Sequence, residues 1–230
     1  DDADALVALT GSDEENILIS FYAMSKSVPK VISKVNKNEL VLTRYIGKEK
    51  IVTIPSEVNG MKVTTIGEKA FYMSNLEEVV LPNELTTINR YAFANSKNLR
   101  KIEMTSSLQT INEYAFFDCE SLVDVKLNEG LIEIGSNAFG CCDLNSAIIP
   151  STLTRSGGSV FYENRNFIEL VNLSKVSNSL FGVSPINYFN SLDYTSGIFK
   201  VDEDFVFCFD FKNEQIVFVD YIGNDTFISL

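Results

Sequence analysis

The chain has 230 residues, of which 45% are hydrophobic and 22% charged, and its formal net charge is −12. This composition is typical of a folded protein, and no run approaches the roughly 20 uninterrupted apolar residues of a membrane-spanning helix. The acidic balance argues against a nucleic-acid partner, because phosphate binding needs a clustered basic surface. It also disfavours adhesion to an anionic membrane.

The N-terminal segment, residues 1–37, has no clear pattern. Ser12 followed by Glu15 could be a capping box for a helix over residues 16–25, whereas residues 17–22 suit a strand equally well. The capping box slightly favours the helix. We leave the structure of this segment open.

The next segment predicts a strand and a hairpin. Apolar residues alternate from Glu39 to Tyr45, as they do in a half-buried strand. Asn59-Gly60, between Val58 and Met61, is the sequence of a type I′ hairpin turn. The hairpin makes the first unit longer than those that follow, as expected for the cap of a solenoid.

A short phrase ending in Ala-Phe then recurs through residues 66–161. Its closing phenylalanines follow one another after 22, 23, 23 and 22 residues. A period near this value is typical of a solenoid, whose units are too small to bury an apolar face alone and stack on their neighbours. The repeated residues are Phe71, Phe93, Phe116, Phe139 and Phe161, and the last copy of the phrase is degenerate.

Each unit follows the frame L-x-x-I-x-L-P-x-x-L-x-x-I-G-x-x-A-F-x-x-C. Its first part suits a short strand that pairs in parallel with the same segment of the next unit, and Pro82 and Pro150 would end that pairing. The small Ala lets a short helical or irregular turn pack against the sheet, with the Phe inside. We predict an α/β solenoid with a parallel sheet of short strands.

Two cysteines occupy one slot of this frame. Cys119 and Cys142 stand three residues after the Phe, where sister units have Ser74, Ser96 and Asn164. We interpret them as buried, reduced thiols, although neighbouring strands are close enough that distance alone would not exclude a bridge.

After the array the pattern becomes β-rich. Residues 167–174 continue as one or two degenerate strands, and residues 178–197 are predicted to be loops. Residues 205–221 form a two-strand pattern, and residues 221–230 match residues 45–54 at an offset of 176. This match predicts the beginning of a second array. We divide the chain into three parts: residues 1–37, the array at 38–174, and the loop region with its hairpin at 175–230.

The frame resembles the BspA-like class of bacterial leucine-rich repeats, on the phrase I-G-x-x-A-F-x-x-C and on the strand that ends in L-P. The resemblance covers about residues 39–174, and residues 45–60 are similar to the way such arrays begin. Asn89 and Asn112 replace the Gly of the frame and Ser156 replaces its Ile, so the array is expected to end near Phe161. The resemblance implies a secreted or cell-surface bacterial protein that adheres to host or neighbouring-cell proteins.

No catalytic or metal site is predicted, because the residues of the common sites are absent. The chain has no His, which removes the usual triads and zinc sites. It also lacks a G-x-S-x-G elbow and a phosphate-binding G-x-x-x-x-G-K-[ST] loop. We predict that the chain is not an enzyme and needs no cofactor or metal.

The candidate binding site is the outward face of the short strands, which repeats along a solenoid. It is mixed in charge, so Lys101 beside Asp124 could pair across strands, and the whole face could simply keep the protein soluble. The functional interpretation is a surface that binds an extracellular or host protein. Its residues are Glu78, Val80, Lys101, Glu103, Asp124, Lys126, Ser146 and Ile148.

Two alternatives remain open. A carbohydrate-binding protein could use Tyr72, Tyr91 and Tyr114, since the last two occupy one slot in adjacent units and could stack on a sugar. Lys69 and Asn137 in the same slot, and the absence of Trp, weaken that alternative. The chain could also be a spacer that holds another domain away from the cell wall.

Overall fold

The structure is a computed structural model. It describes residues 39–45, 47–58 and 61–182, together with the backbone of the strands at residues 7–9, 17–21, 31–36, 187–190, 196–201, 205–210 and 215–221.

The N-terminal part is an antiparallel run of four strands. β1 (Val7–Leu9), β2 (Ile17–Phe21), β3 (Val31–Asn36) and β4 (Glu39–Tyr45) pair in chain order. The strand alternative for residues 17–22 is therefore confirmed over Ile17–Phe21, and the helix that the capping box slightly favoured is not formed there. Its centre lies in β2, where pairing with strands on both sides outweighs the local capping box. The predicted strand from Glu39 to Tyr45 is confirmed as β4, with Leu40 and Leu42 buried.

The predicted hairpin follows. β5 (Ile51–Thr53) precedes β6 (Glu57–Val58), which pairs antiparallel with β7 (Met61–Ile66). Val58 is the partner of Met61, so two residues join the strands, as the Asn-Gly signal predicts. Those two residues lie outside the described part of the chain. β7 also pairs in parallel with β4 and so connects the N-terminal strands to the array.

The repeats build two rows of parallel strands. The L-x-x-I-x-L segments form β8 (Glu78–Val80), β10 (Lys101–Ile102), β13 (Ser146–Ile149) and β15 (Glu169–Asn172). β8 pairs with β5 and β10, and β15 pairs with β13 and β16 (Asn187–Asn190). The predicted parallel pairing is confirmed, and we call this row the first sheet.

The second row comes from the I-G phrase and was not predicted. β9 (Thr87–Ile88), β11 (Thr110–Ile111), β12 (Glu133–Ile134) and β14 (Arg155–Ser156) continue from β7 in parallel. Most units thus contribute one strand to each of two sheets, and the unit with residues 123–127 contributes only β12. The apolar residues between the sheets form one continuous core.

The helical part of the α/β prediction is not confirmed. Among the described residues the helix content is a single 3-10 turn, Asn178–Leu180. The Ala-Phe phrase forms an irregular turn in which two residues per unit have a positive φ. None of them is β-branched, in line with the steric demands of this conformation. They are Lys69, Met73, Tyr91, Asn95, Tyr114, Asp118, Asn137, Cys141, Ser159 and Glu163.

These turns bond to one another. The N–H of Phe71 donates to the carbonyl of Ala92 at 2.7 Å, and the N–H of Phe93 donates to Ala115 at 2.8 Å. The next unit repeats the bond from Phe116 to Ala138 at 2.7 Å. The turn is therefore a third ladder of backbone hydrogen bonds, which satisfies groups that a buried loop would leave unpaired.

The repeated phenylalanines stack along the core and are fully buried. Ring centroids lie 4.8 Å apart for Phe71 and Phe93, 5.1 Å for Phe93 and Phe116, and 4.9 Å for Phe116 and Phe139, each pair within 3° of parallel. The spacing widens to 5.9 Å between Phe139 and Phe161. The stack is less regular at the degenerate copy of the phrase but continues, because the N–H of Phe161 donates to the carbonyl of Phe181 at 2.9 Å and the two rings lie 6.1 Å apart. The expectation that the array ends near Phe161 is therefore wrong.

The cysteine slot is a ladder of side-chain donors. Ser96 Oγ donates to the carbonyl of Phe71 at 2.8 Å. Cys119 Sγ donates to Phe93 at 3.3 Å, and Cys142 Sγ donates to Phe116 at 3.2 Å. Both thiols are buried, as predicted, and they are not bonded to each other in this structure. Each of these side chains gives a second hydrogen bond to the Phe carbonyl of the preceding unit, which also accepts a backbone N–H of its own unit.

The C-terminal strands are antiparallel. β17 (Ser196–Val201), β18 (Phe205–Asp210) and β19 (Gln215–Tyr221) form a three-stranded sheet, and the predicted hairpin is confirmed as β18 and β19. Residues 222–230 lie outside the described part, so the second array stays a prediction.

Candidate protein-binding face

The strand face is the outward side of the first sheet and of residues 123–127, which continue it between β10 and β13. Inward positions such as Val79 and Ile102 are buried, while Val80 is 52% exposed. The eight predicted residues lie on this face. Val80, Lys101, Glu103, Asp124, Lys126 and Ser146 are exposed, and Glu78 and Ile148 are half-buried.

At the N-terminal half of the face, charges neutralise one another across the strands. Lys50 Nζ lies 2.5 Å from Glu77 Oε1, and Arg100 Nη2 lies 2.5 Å from Glu78 and 3.7 Å from Glu77. Lys101 pairs with Glu103 of its own unit at 3.3 Å. We call these residues the paired half. The Lys50 ammonium, followed by Arg100, holds the pKa of the Glu77 carboxyl below its usual value.

The first sheet is interrupted at the middle unit. β10 pairs with β8, and β13 pairs with β15, but residues 123–127 form no strand between them. Val125 and Leu127 still point into the core, so the unit keeps its place in the stack. A groove of about 210 Å³ opens beside this interruption. Its lining includes Asp124, Lys126, Ser146 and Ile148.

At the C-terminal half of the face the residues just before the strands are uncharged, although the N-terminal half also exposes aliphatic side chains, Ile51 at 57% and Val80 at 52%. Val123 is 44% exposed and Ile168 is 47% exposed, and half-buried Ile148 lines the groove between them. We call Val123, Asp124, Ile148 and Ile168 the apolar half. The expected pair of Lys101 with Asp124 is not formed, because Lys101 contacts Glu103 instead.

The sequence analysis missed one row of this face. The residue before each strand also points outward, and it supplies both the ion pairs of the paired half and the aliphatic groups of the apolar half. Comparing the same slot from unit to unit would have found it. The row consists of Lys50, Glu77, Arg100, Val123, Asn145 and Ile168.

The tyrosines of the carbohydrate alternative contact one another. The rings of Tyr91 and Tyr114 stack with centroids 5.0 Å apart. The Arg90 guanidinium lies 4.9 Å from the Tyr91 ring centroid, and Lys69 Nζ lies 5.7 Å from it. Contact with neighbouring side chains thus occupies ring surface that a sugar would need, whereas Tyr72 is 42% exposed.

A larger groove, of about 830 Å³, lies on the second sheet and was not predicted from the sequence. It is lined by Gly135, Gly157 and Lys175, and by Arg155 paired with Glu133 at 2.6 Å. Within the described part of the chain there is no cluster of three or more His, Cys, Asp or Glu side chains able to hold a metal ion. No helix among the described residues is long and apolar enough to cross a membrane.

A family model matches most of the repeat region. The model of the BspA type leucine rich repeat region matches residues 50–168 and 86–216, with six copies. No curated protein matches the chain.

Several solved structures are similar to this fold. The T. pallidum leucine-rich-repeat protein is 24% identical over 75% of this chain and 84% of that protein, with a TM-score of 0.58. The pneumococcal vaccine antigen PcpA is 20% identical over 70% of this chain and 40% of that one, with a TM-score of 0.57. A Bacteroides ovatus leucine-rich-repeat protein is 21% identical, with coverages of 73% and 39% and a TM-score of 0.52. The chain spans about two fifths of the latter two proteins, and at these identities the likeness is one of fold.

Proposed function

The chain belongs to the BspA-type leucine-rich-repeat family, and we propose that it is a non-enzymatic cell-surface module that binds a host or neighbouring-cell protein through the strand face. The observation that carries the proposal is the contrast between inward and outward positions of the same strands. The inward positions are apolar in every unit, whereas the outward positions differ in charge and polarity from unit to unit, as in Glu78, Lys101 and Ser146. Such a surface offers a different set of contacts at each step, which suits recognition of a protein.

The extracellular location is part of the same proposal. The solved relative described as a pneumococcal vaccine antigen belongs to the same fold, and vaccine antigens are molecules that antibodies reach. The net charge of −12 fits a displayed protein that must stay dispersed.

A binding screen tests the proposal. The purified chain is applied to immobilised extracellular-matrix proteins and polysaccharides, beside a Glu103→Lys/Asp124→Lys variant of the strand face. The matched control is Glu68→Lys/Glu163→Lys, which makes the same charge change at exposed residues off this face.

We expect saturable binding to a protein, lost in the strand-face variant and kept in the control. Saturable binding to a glycan alone would instead favour the carbohydrate alternative. Binding to nothing on the panel, or equal loss in both variants, would contradict recognition through the strand face.

A further inference from the structure

The two halves of the strand face differ in how their charges are satisfied. In the paired half, Glu77, Glu78 and Glu103 each lie within ion-pair distance of a cation. In the apolar half, exposed Asp124 has no ion-pair partner among the described residues. A partner that docks on the paired half must compete with contacts already made, whereas one that docks beside Asp124 gains a new one.

The apolar groups next to Asp124 are arranged for contact. Val123 and Ile168 lie in one row, two units apart, and Asn145 stands between them. With strands about 4.8 Å apart, this places them roughly 10 Å from each other. The 210 Å³ groove lined by Ile148 opens in the same region. Binding hot spots form in pockets that lose their water on binding, and aliphatic side chains around a small depression help to exclude that water.

We propose that the apolar half is the contact centre of the strand face, and that its partner is a protein segment carrying a large apolar side chain beside a Lys or Arg. The apolar side chain enters the groove at Ile148, and the cation pairs with Asp124. This inference rests on the proposed function, because it locates the partner on the same face. Charge complementarity supports it, since the chain has 31 acidic and 19 basic residues and its field attracts cationic surfaces.

A random heptapeptide library displayed on phage provides the probe. The library is selected on the whole chain, and recovered peptides are synthesised and titrated by fluorescence anisotropy. We expect enrichment of peptides in which Leu, Ile or Phe adjoins Lys or Arg. An Asp124→Lys variant should weaken their binding about tenfold or more, because it sets like charges against each other. Val123→Ser should also weaken it, because it removes an apolar contact without adding a charge.

The matched control lies in the paired half. Arg100→Ser changes a charge in the slot that Val123 occupies in the next unit, and we expect it to leave peptide affinity within about twofold. Circular dichroism of each variant checks that the fold is kept. Failure to enrich any such sequence, enrichment of acidic peptides, or equal effects of Asp124→Lys and Arg100→Ser would overturn the inference.

Failure of the proposed function can be distinguished from failure of this inference. If binding of a protein found in the screen is lost in Arg100→Glu/Lys101→Glu but kept in Val123→Ser/Asp124→Lys, the strand face still binds and the apolar half is not its centre. If the screen finds no protein while the peptides bind as expected, the proposed contact centre is supported and the proposed extracellular partner is rejected.

Discussion

The Ala-Phe turns and the strand face belong to the same repeats, yet they differ in how much they vary. Along the turns, Phe71, Phe93, Phe116 and Phe139 repeat one stacking geometry within a few tenths of an ångström. Along the strand face, the outward slots change in charge and polarity from unit to unit. Each Phe ring packs against the ring of the next unit, so a change in one unit alters the packing of its neighbours. An outward residue contacts only solvent or a partner and is free to differ. Stability therefore resides in the turns and the core, and specificity can reside in the face.

The sharpest test of that division is Phe116→Ala. Phe116 is fully buried between Phe93 and Phe139, and its removal leaves a cavity that two stacked neighbours cannot fill. We expect a loss of about 3–5 kcal/mol in the free energy of unfolding, measured by urea denaturation. Val123→Ala on the strand face is the control and should change little. Equal losses would break the comparison.

Gly135→Ala tests how closely adjacent units approach. A Cβ at Gly135 would lie 2.5 Å from the carbonyl carbon of Asn112 and would clash with the backbone of Glu113, so the units must separate. We expect a loss of about 1–3 kcal/mol. Gly158→Ala is a close control, because a Cβ there meets nothing within 4 Å. A thermal melt of both variants that shows the same shift would contradict this explanation.

The donor slot can be tested by exchanging its side chain. Cys119→Ser keeps a donor for the Phe93 carbonyl, as Ser96 does for Phe71. Cys119→Ala leaves that carbonyl without this donor, and we expect it to be about 1 kcal/mol less stable than the Ser variant. Urea denaturation at pH 7 compares them. If the Cys119→Ala variant were as stable as the Cys119→Ser variant, the size of the side chain alone would explain which residues occupy this position.

Alkaline pH should weaken the core through the same slot. Burial raises the pKa of the Cys119 thiol from 9.0 to about 12, and burial also raises the pKa of Cys142. Between about pH 9 and pH 12 the unfolded chain loses these protons and the folded chain keeps them, so the free energy of unfolding falls as pH rises. Urea midpoints at pH 8 and pH 10 measure the fall. A Cys119→Ser/Cys142→Ser variant should lose less over this interval, and an identical fall would assign the effect to other groups.

The smallest effect is expected on the paired half. Arg100→Ser removes the contacts to Glu77 and Glu78, but these groups are solvated and salt screens them. We expect no measurable change in the melting temperature at physiological ionic strength. A drop comparable to that of Gly135→Ala would mean that the face also carries stability.

The parts of the fold that follow from repetition could be predicted from the sequence. The period, the buried Phe, the parallel strands and the two-residue hairpin at 59–60 each have a local signature. The second sheet could not be predicted in this way, because two-residue strands such as β9 and β11 are too short to show an alternation. The conformation of the turn was also missed, since residues as different as Lys69 and Tyr91 adopt the same positive φ.

The candidate site, too, could be predicted from the sequence only in part. The eight outward residues were predicted from alternation and do lie on one face, but the row of Glu77, Arg100 and Val123 was not, because it precedes the strands. The sequence also did not predict which charged side chains pair with each other. Lys101 has two acids within reach, and only the structure shows that it contacts Glu103.

Amide hydrogen exchange with and without a bound protein from the screen tests the central claim most directly. If the face recognises and the turns stabilise, binding slows exchange at residues 78–80, 101–103, 123–126 and 146–149. The turns at residues 67–74 and 89–96 should exchange at the same rates in both samples. Protection confined to the turns, with none on the strand face, would contradict the account.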